Sequence, residues 1–125
     1  MWKKLQLLCL LVVPSIGLAQ PEGYVDPLTF TGSDAEKKQV IEYIKASVYE
    51  TFCKKHDQCS ASTLRMMEQA DLDAFKYLAT NAKRNEKAFK QVHKRFCLRH
   101  GQCRYHTLKM MFDHEDQKSK EELKW

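Results

Sequence analysis

The chain carries the same cysteine-bounded segment twice, 44 residues apart. Residues 52–67 read FCKKHDQCSASTLRMM and residues 96–111 read FCLRHGQCRYHTLKMM. Nine of the sixteen aligned positions are identical, including the phenylalanine, both cysteines, the histidine and the methionine pair. Such dense agreement at one spacing indicates an internal duplication, and two units are too few for an open solenoid. We therefore predict two helical hairpins, at about residues 33–80 and 81–112, that close on each other.

Apolar residues at helical spacing flank both cysteine loops and predict helices there. Ser33 and Glu36 form a capping-box pattern at the first helix start. That helix should end near Cys53, the next should begin near Ser60, and Asp71 should cap a further helix. The predicted core positions, with the two methionine pairs, are Ile41, Ile44, Val48, Phe52, Leu64, Phe75, Leu78, Ala82, Phe89, Val92, Phe96, Leu108 and Phe112. Because glycine (4) and proline (3) are scarce, we predict an all-α fold, a small disulfide-stapled helical bundle.

Residues 1–19 have the layout of a secretory signal peptide. Two lysines precede an apolar run over residues 5–13, and Ala19 offers a small residue for cleavage. The run is shorter than the roughly 20 apolar residues that a membrane span needs, although a retained anchor is the alternative interpretation. We therefore expect a secreted, extracellular protein with no membrane span.

The rest of the chain divides into three regions. Residues 20–32 form an N-terminal arm without periodicity, and residues 33–112 form the helical domain that holds both hairpins. Residues 113–125 are a polar C-terminal tail that either extends the last helix or frays. Without the signal peptide the chain has 19 basic and 16 acidic residues.

Four cysteines remain after the signal peptide, and an even number in a short secreted chain predicts two disulfides. The repeat favours the local pairs Cys53–Cys59 and Cys97–Cys103. A crossed pairing between the two units is the alternative. Each local bridge would join the end of one helix to the start of the next, and would stabilise the fold by about 2 to 3 kcal/mol.

The loop histidines allow two chemistries besides a structural role. Cysteine and histidine together are zinc ligands, but secretion would oxidise the thiols. The first loop also resembles the C-C-x-x-H-D-x-C helix motif of secreted phospholipases, in which His56 would be the general base and Asp57 a calcium ligand. Phe52 replaces the first cysteine of that motif, no glycine-rich calcium loop precedes it, and Gly101 replaces the aspartate in the second unit. We predict that the protein is not an enzyme, and that it needs no metal or other cofactor.

Positive charge is concentrated in the second hairpin. Residues 82–112 contain nine basic residues and one acidic residue, a net charge of +8. Four of the lysines follow one helical face at i, i+4, i+7 and i+11, opposite the apolar seam. This pattern predicts a surface for an acidic partner, and a merely solvated face is the alternative. Nucleic acid is not expected outside the cell. The predicted partner-binding residues are Lys83, Arg84, Lys87, Lys90, Lys94, Arg95, Arg99 and Arg104.

The basic helical layout and the two Phe-Cys-x-x-His-x-Gln-Cys units resemble the anophensin/albicin family of mosquito salivary proteins, over about residues 33–112. The resemblance implies a non-enzymatic inhibitor of host plasma proteins that blocks the convertase of the alternative complement pathway. It equally implies, as an alternative, an inhibitor of the contact and kallikrein-kinin system that binds factor XII and high-molecular-weight kininogen. Two further alternatives are a helical carrier of small hydrophobic ligands and a membrane-active cationic protein.

Overall fold

The computed structural model describes residues 20–125, and the predicted signal peptide at residues 1–19 lies outside the described residues. In the described range the chain is helical and contains no strand. Its α-helices are α1 (Asp34–Val48), α2 (Ala61–Asn81), α3 (Glu86–Val92) and α4 (Tyr105–Ser119). π-helical turns extend α1 over Tyr49–Lys55 and α3 over His93–Leu98, and a 3-10 turn, Ala82–Asn85, joins α2 to α3. The predicted all-α fold is confirmed.

Three helices begin at residues whose side chains accept a backbone hydrogen bond. The Ser33 hydroxyl accepts from the Glu36 N–H at 3.2 Å, and the Glu36 carboxylate accepts from the Ser33 N–H at 3.4 Å. This is the predicted capping box. Ser60 caps α2 by accepting from the Thr63 N–H at 3.2 Å, and Asn85 caps α3 in the same way. Local polar residues therefore fix where these helices start.

Asp71 does not begin a new helix, so that prediction is wrong. α2 runs without a break from Ala61 to Asn81, and no glycine or proline interrupts it. Asp71 lies in its interior and is buried, with its carboxylate bonded to Arg104 and to the backbone N–H of His106. A side chain that looks like a helix cap in the sequence therefore serves a contact between helices.

The core lies where the four helices meet, and several predicted core positions are corrected. Ile41 is 37% exposed, because α1 turns Val40, Tyr43 and Ile44 inward instead. Only one member of each methionine pair can face the core, since neighbours on a helix point about 100° apart. Met66 and Met110 are exposed, while Met67 and Met111 are half-buried. The largest fully buried apolar side chains are Val40, Val48, Leu78, Phe89, Tyr105, Leu108 and Phe112.

The disulfides pair locally, Cys53 with Cys59 and Cys97 with Cys103, as the repeat predicted. The crossed pairing is thereby excluded.

The two cysteine loops share one turn geometry. The Gln58 N–H donates to the Phe52 carbonyl at 2.6 Å, and the Gln102 N–H donates to the Phe96 carbonyl at 2.8 Å. The residue before each glutamine has a positive φ, which is 52° at Asp57 in the first loop and 66° at Gly101 in the second. The helices after the loops differ in length, 21 residues in α2 and 15 in α4. The equivalence of two entire hairpins stays a prediction.

The N-terminal arm packs on the bundle. The Tyr105 hydroxyl accepts from the Val25 N–H at 3.0 Å and donates to the Val25 carbonyl at 2.9 Å. Tyr24 stacks on Tyr105, and Phe30 meets Phe75 edge to face with ring centroids 5.0 Å apart. At the other end α4 continues to Ser119, so the first half of the polar tail extends the last helix.

Among residues 20–125, none of the helices is both long enough and apolar enough to cross a membrane.

Candidate partner-binding surface

Three lysines of the predicted stripe lie together on α3 and the π-helical turn that follows it. Lys87, Lys90 and Lys94 line one shallow depression on the surface, and all three side chains are exposed. Phe89 and Val92, on the opposite side of the same helix, are buried in the core. The amphipathic pattern therefore places these three cations on the solvent side, as the spacing predicted.

The basic surface continues into a groove beside α4. Lys94, Arg95 and Arg99 line this groove, which has a volume of about 330 Å³. Val92, Phe96, Met111, Gln91, His114 and Glu115 complete its lining. Lys94 belongs to both the depression and the groove, so the two are continuous. We call the surface formed by Lys87, Lys90, Lys94, Arg95 and Arg99 the basic face.

Two features of the turn His93–Leu98 shape this groove. A π-helix bonds i to i+5 and holds more residues per turn than an α-helix, so positions after Lys94 shift around the helix axis. The Arg95 guanidinium carbon lies 5.5 Å from the centroid of the Phe96 ring. Such a cation–π contact restrains a long side chain that would otherwise lose entropy on binding.

The charges of the basic face are largely uncompensated. Lys90 lies 3.7 Å from Glu86, but both side chains are more than half exposed, so this ion pair is weak. Within residues 20–125, the other four cations of the face have no carboxylate within 4.0 Å. Free cations at fixed positions on a helix offer charge-assisted hydrogen bonds to a partner's carboxylates.

Arg104 does not belong to this surface, and its assignment to the partner-binding set is corrected. Its guanidinium bonds the Asp71 carboxylate at 3.1 and 3.2 Å, and only 18% of its side chain is exposed. It also lies over the Phe52 ring, 4.9 Å from the centroid. Arg104 therefore holds the start of α4 against α2. The sequence shows the charge of Arg104, but it does not show that Asp71, thirty-three residues earlier, is its ion-pair partner.

Arg84 is also engaged within the protein. Its Nη2 donates to the Asp116 carboxylate at 3.2 Å, and Asn85 and Lys120 donate to the same carboxylate. These hydrogen bonds, from Asn85 first and then Lys120, hold the pKa of Asp116 below its usual range. Lys83 is exposed on the 3-10 turn but lines neither the depression nor the groove. Five of the eight predicted residues are thus brought together.

α4 contributes residues to the groove that were missed in the sequence. Met111, His114 and Glu115 follow one face of α4 at i, i+3 and i+4. This spacing can be read from the sequence and indicates that the three residues share one side of a helix. It does not indicate which other helix that side contacts. Here α4 packs beside α3, with Phe89 and Phe112 in edge-to-face contact at 6.1 Å.

The four cysteines within residues 20–125 form disulfides, so none of them is a free thiolate for the zinc site that the loop sequences suggested. In the described part of the chain, no three side chains of His, Cys, Asp or Glu gather closely enough to hold a metal ion. His56 is the cap residue that follows the π-helical turn, and Asp57 comes after it with a φ of 52°, so neither residue lies within a helix. The phospholipase motif requires both residues on one helix.

Comparison with protein-family models, curated proteins and solved structures finds no match for this chain.

Proposed function

We propose that the protein is a secreted, non-enzymatic inhibitor that docks through the basic face on an acidic surface of a host plasma protein. The observation that carries the proposal is the set of largely uncompensated cations on one side of α3 and the turn that follows it. Lys94, Arg95 and Arg99 surround a groove with an apolar lining from Phe96 and Met111. Such a surface accepts acidic side chains and their apolar neighbours together.

The concentration of charge on α3 is unfavourable for folding, which supports selection for binding. Lys87 and Lys94 lie at i−3 and i+4 from Lys90, and like charges at these spacings each destabilise a helix by about 0.2 to 0.5 kcal/mol. α3 and the π-helical turn that extends it have seven and six residues, and a helical segment of this length is only marginally stable on its own in water. A charge pattern chosen only for solubility would not concentrate repulsion there.

The scaffold holds the basic face in place before any partner arrives. Phe89 and Val92 anchor α3 in the core, and the bridge between Cys97 and Cys103 closes its end. A helix backbone that is fixed in advance does not have to be ordered on binding, so only the exposed side chains lose conformational entropy. Complementary charge would steer the encounter and speed association, and the bound protein would block access to its partner.

The resemblance to the anophensin/albicin family names the target that we propose, the convertase of the alternative complement pathway. Factor XII and high-molecular-weight kininogen are the second candidates, from the same resemblance. The two disulfides agree with an oxidising, extracellular setting.

The experiment is affinity capture from human plasma, read by mass spectrometry. One bait is the wild-type protein and another reverses three charges of the basic face, Lys87→Glu, Lys90→Glu and Lys94→Glu. A matched control reverses three exposed lysines elsewhere, Lys45→Glu, Lys55→Glu and Lys124→Glu.

We expect the wild type and the matched control to enrich convertase components and to inhibit alternative-pathway haemolysis, and the basic-face variant to do neither. Enrichment of factor XII or kininogen would select the second target instead. Equal capture by all three baits would contradict a role for the basic face.

A further inference from the structure

A second surface, separate from the basic face, has the character of a ligand site. A groove of about 390 Å³ runs between α1 and α2. That volume is within the range of small-molecule sites in proteins, about 300 to 1,000 Å³. The groove shares no residue with the basic face. Its lining is Phe30, Lys37, Val40, Ile41, Leu72, Phe75, Lys76, Ala79 and Thr80.

The lining of this α1–α2 groove is apolar apart from its edge. The Phe30 ring of the N-terminal arm meets Phe75 edge to face, and this pair forms part of the wall. Ile41 and Leu72 lie on the facing helices and are only partly buried. The exposure of Ile41, which departs from the predicted core, leaves apolar surface for a ligand to cover.

A smaller groove extends the first along the same two helices. It has a volume of about 230 Å³ and shares Ile41 and Leu72 with the larger one. Together the grooves follow α2 from Arg65 to Thr80, a stretch of about 22 Å at 1.5 Å per residue. We call the two grooves together the track. Its length fits the extended aliphatic chain of a long-chain acid.

The charges along the track are unequal at its two ends. Lys37 on α1 and Lys76 on α2 both line the larger groove, and both are exposed. Within residues 20–125, neither has a carboxylate within 4.0 Å, and no acidic side chain lines this groove. In the smaller groove, Arg65 forms an ion pair with Glu68, which also lines it, while Lys45 has no carboxylate within 4.0 Å among residues 20–125. The larger groove therefore has two unpaired cations in its lining and the smaller groove has one. An anionic head group is therefore favoured at the end between Lys37 and Lys76.

We propose that the α1–α2 groove binds a long-chain carboxylate, with its carboxylate between Lys37 and Lys76 and its aliphatic chain along Ile41, Leu72 and Phe75. This activity is independent of the proposed inhibition, because it uses another face of the protein.

The test is a fluorescence titration with cis-parinaric acid, a long-chain polyene carboxylate, on protein produced from the full coding sequence in a secreting cell line. The methyl ester of the same probe tests the head group. The variants are the double substitution Lys37→Gln and Lys76→Gln, the groove-filling Ala79→Trp, and the matched control Lys38→Gln. Lys38 is an exposed neighbour that does not line the groove.

We expect saturable binding of one acid per chain, and binding of the ester at least about tenfold weaker, because charged hydrogen bonds are lost. The double variant should bind the acid about as weakly as the ester, Ala79→Trp should abolish binding, and Lys38→Gln should bind like wild type. Far-UV circular dichroism checks that Ala79→Trp is folded, and the exposed lysine variants test the site independently of it.

Three outcomes would overturn the proposal. The first is that the protein binds the acid and the ester with equal affinity. The second is that Lys38→Gln loses as much affinity for the acid as the double variant does. The third is that sedimentation shows the wild-type protein to be a dimer and Ala79→Trp to be a monomer. The last would mean that a second copy of the chain covers the groove.

Discussion

Arg104 donates two hydrogen bonds to Asp71, from Nε to Oδ2 at 3.1 Å and from Nη2 to Oδ1 at 3.2 Å. The same carboxylate accepts the backbone N–H of His106 at 3.1 Å. Arg104 is the N-cap residue of α4, and its own side chain makes no capping bond. Asp71 therefore caps α4 from the middle of α2, and one buried carboxylate joins two helices next to the second disulfide loop.

Replacing Asp71 should destabilise the protein strongly. Asp71→Asn keeps the size of the side chain but removes the charge that Arg104 pairs with. Since the Asp71 side chain is 1% exposed and that of Arg104 is 18% exposed, the guanidinium would lose its partner in a largely buried position. We expect the free energy of unfolding to fall by about 3 kcal/mol, measured by urea denaturation followed by circular dichroism.

The matched control is Asp73→Asn, two residues along the same helix. Asp73 is exposed, and its carboxylate accepts a hydrogen bond from the Gln69 side chain. We expect a loss of about 0.5 kcal/mol or less there. Similar small losses for both variants would mean that the Asp71 contact does not hold the helices together.

The two disulfides should contribute unequally, although each closes a loop with the same sequence separation of six. The loop-entropy contribution is therefore equal, about 2 kcal/mol per bridge. Cys97 and Cys103 are buried, whereas Cys53 is half-buried and Cys59 is exposed. Alanine substitution of the second pair removes buried sulfur as well, so it should cost about 1 to 2 kcal/mol more than substitution of the first.

Thermal unfolding of the two double-alanine variants measures the difference directly. Equal costs would show that loop closure alone determines the contribution of both bridges.

The features predicted correctly from the sequence are those set by nearby residues. The capping box needs only Ser33 and Glu36, three positions apart, and the disulfide bridges need only the six-residue spacing within each loop. The alternation of cations and apolar residues along α3 likewise placed Lys87 and Phe89 on opposite sides. Such features follow from helix periodicity and short-range bonds, which a sequence displays directly.

The errors involve residues whose surroundings come from distant parts of the chain. Arg104 has the charge expected of a surface residue, but its partner Asp71 lies on another helix. Tyr43 is buried and its hydroxyl donates to the Cys103 carbonyl at 2.9 Å, while Ile41, two residues away on α1, faces the other side of the helix and is exposed. Tertiary packing determines which helix an apolar face contacts and which polar side chains form hydrogen bonds there. Helical periodicity in the sequence does not encode that packing.

The Tyr105 hydroxyl should hold the N-terminal arm. It accepts from the Val25 N–H and donates to the Val25 carbonyl, and these groups are buried. Tyr105→Phe would leave both backbone groups without a partner, at a cost of about 1 to 3 kcal/mol. We expect faster cleavage near residue 25 in limited proteolysis, with little change in helical circular dichroism.

Tyr77→Phe is the control for loss of a tyrosine hydroxyl, because Tyr77 bonds the half-buried Asp113 side chain at 2.7 Å and does not contact the arm through that group. If both variants are cleaved near residue 25 equally fast, the hydrogen bonds of Tyr105 are not what keeps the N-terminal arm packed on the bundle.

His93 should make stability depend on pH. Its ring lies 5.4 Å from Tyr24 and 6.2 Å from Phe89, and its Nε2 is buried without a hydrogen-bond partner in the described structure. Burial lowers the pKa of His93, and the nearby Asp26 opposes this shift in part. The unfolded chain, with a histidine pKa of about 6.5, therefore binds the proton more readily than the folded protein.

It follows that the free energy of unfolding decreases as pH falls below about 6.5 and stops changing below the folded pKa. Urea denaturation between pH 7.5 and 5 measures this, and His93→Gln should flatten the dependence. His100→Gln, at an exposed loop position, should leave it intact. An unchanged pH dependence in His93→Gln would contradict the assignment.

Arg99 and Arg84 should differ in their effect on binding to the captured plasma protein, although both are exposed arginines near α3. Arg99 lines the groove of the basic face, whereas Arg84 is bonded to Asp116 at 3.2 Å. Arg99→Ala should slow association about threefold at low salt, because an uncompensated charge steers the encounter. Arg84→Ala should change the association rate little.

Surface plasmon resonance at 50 and 500 mM sodium chloride separates steering from contact. The screening length shortens with salt, from about 10 Å at 0.1 M to about 3 Å at 1 M, so the difference between Arg99→Ala and wild type should shrink at the higher concentration. Equal slowing by both variants would mean that net charge, and not the arrangement of the basic face, governs association. A difference that persists at high salt would instead place Arg99 in direct, desolvated contact with the partner.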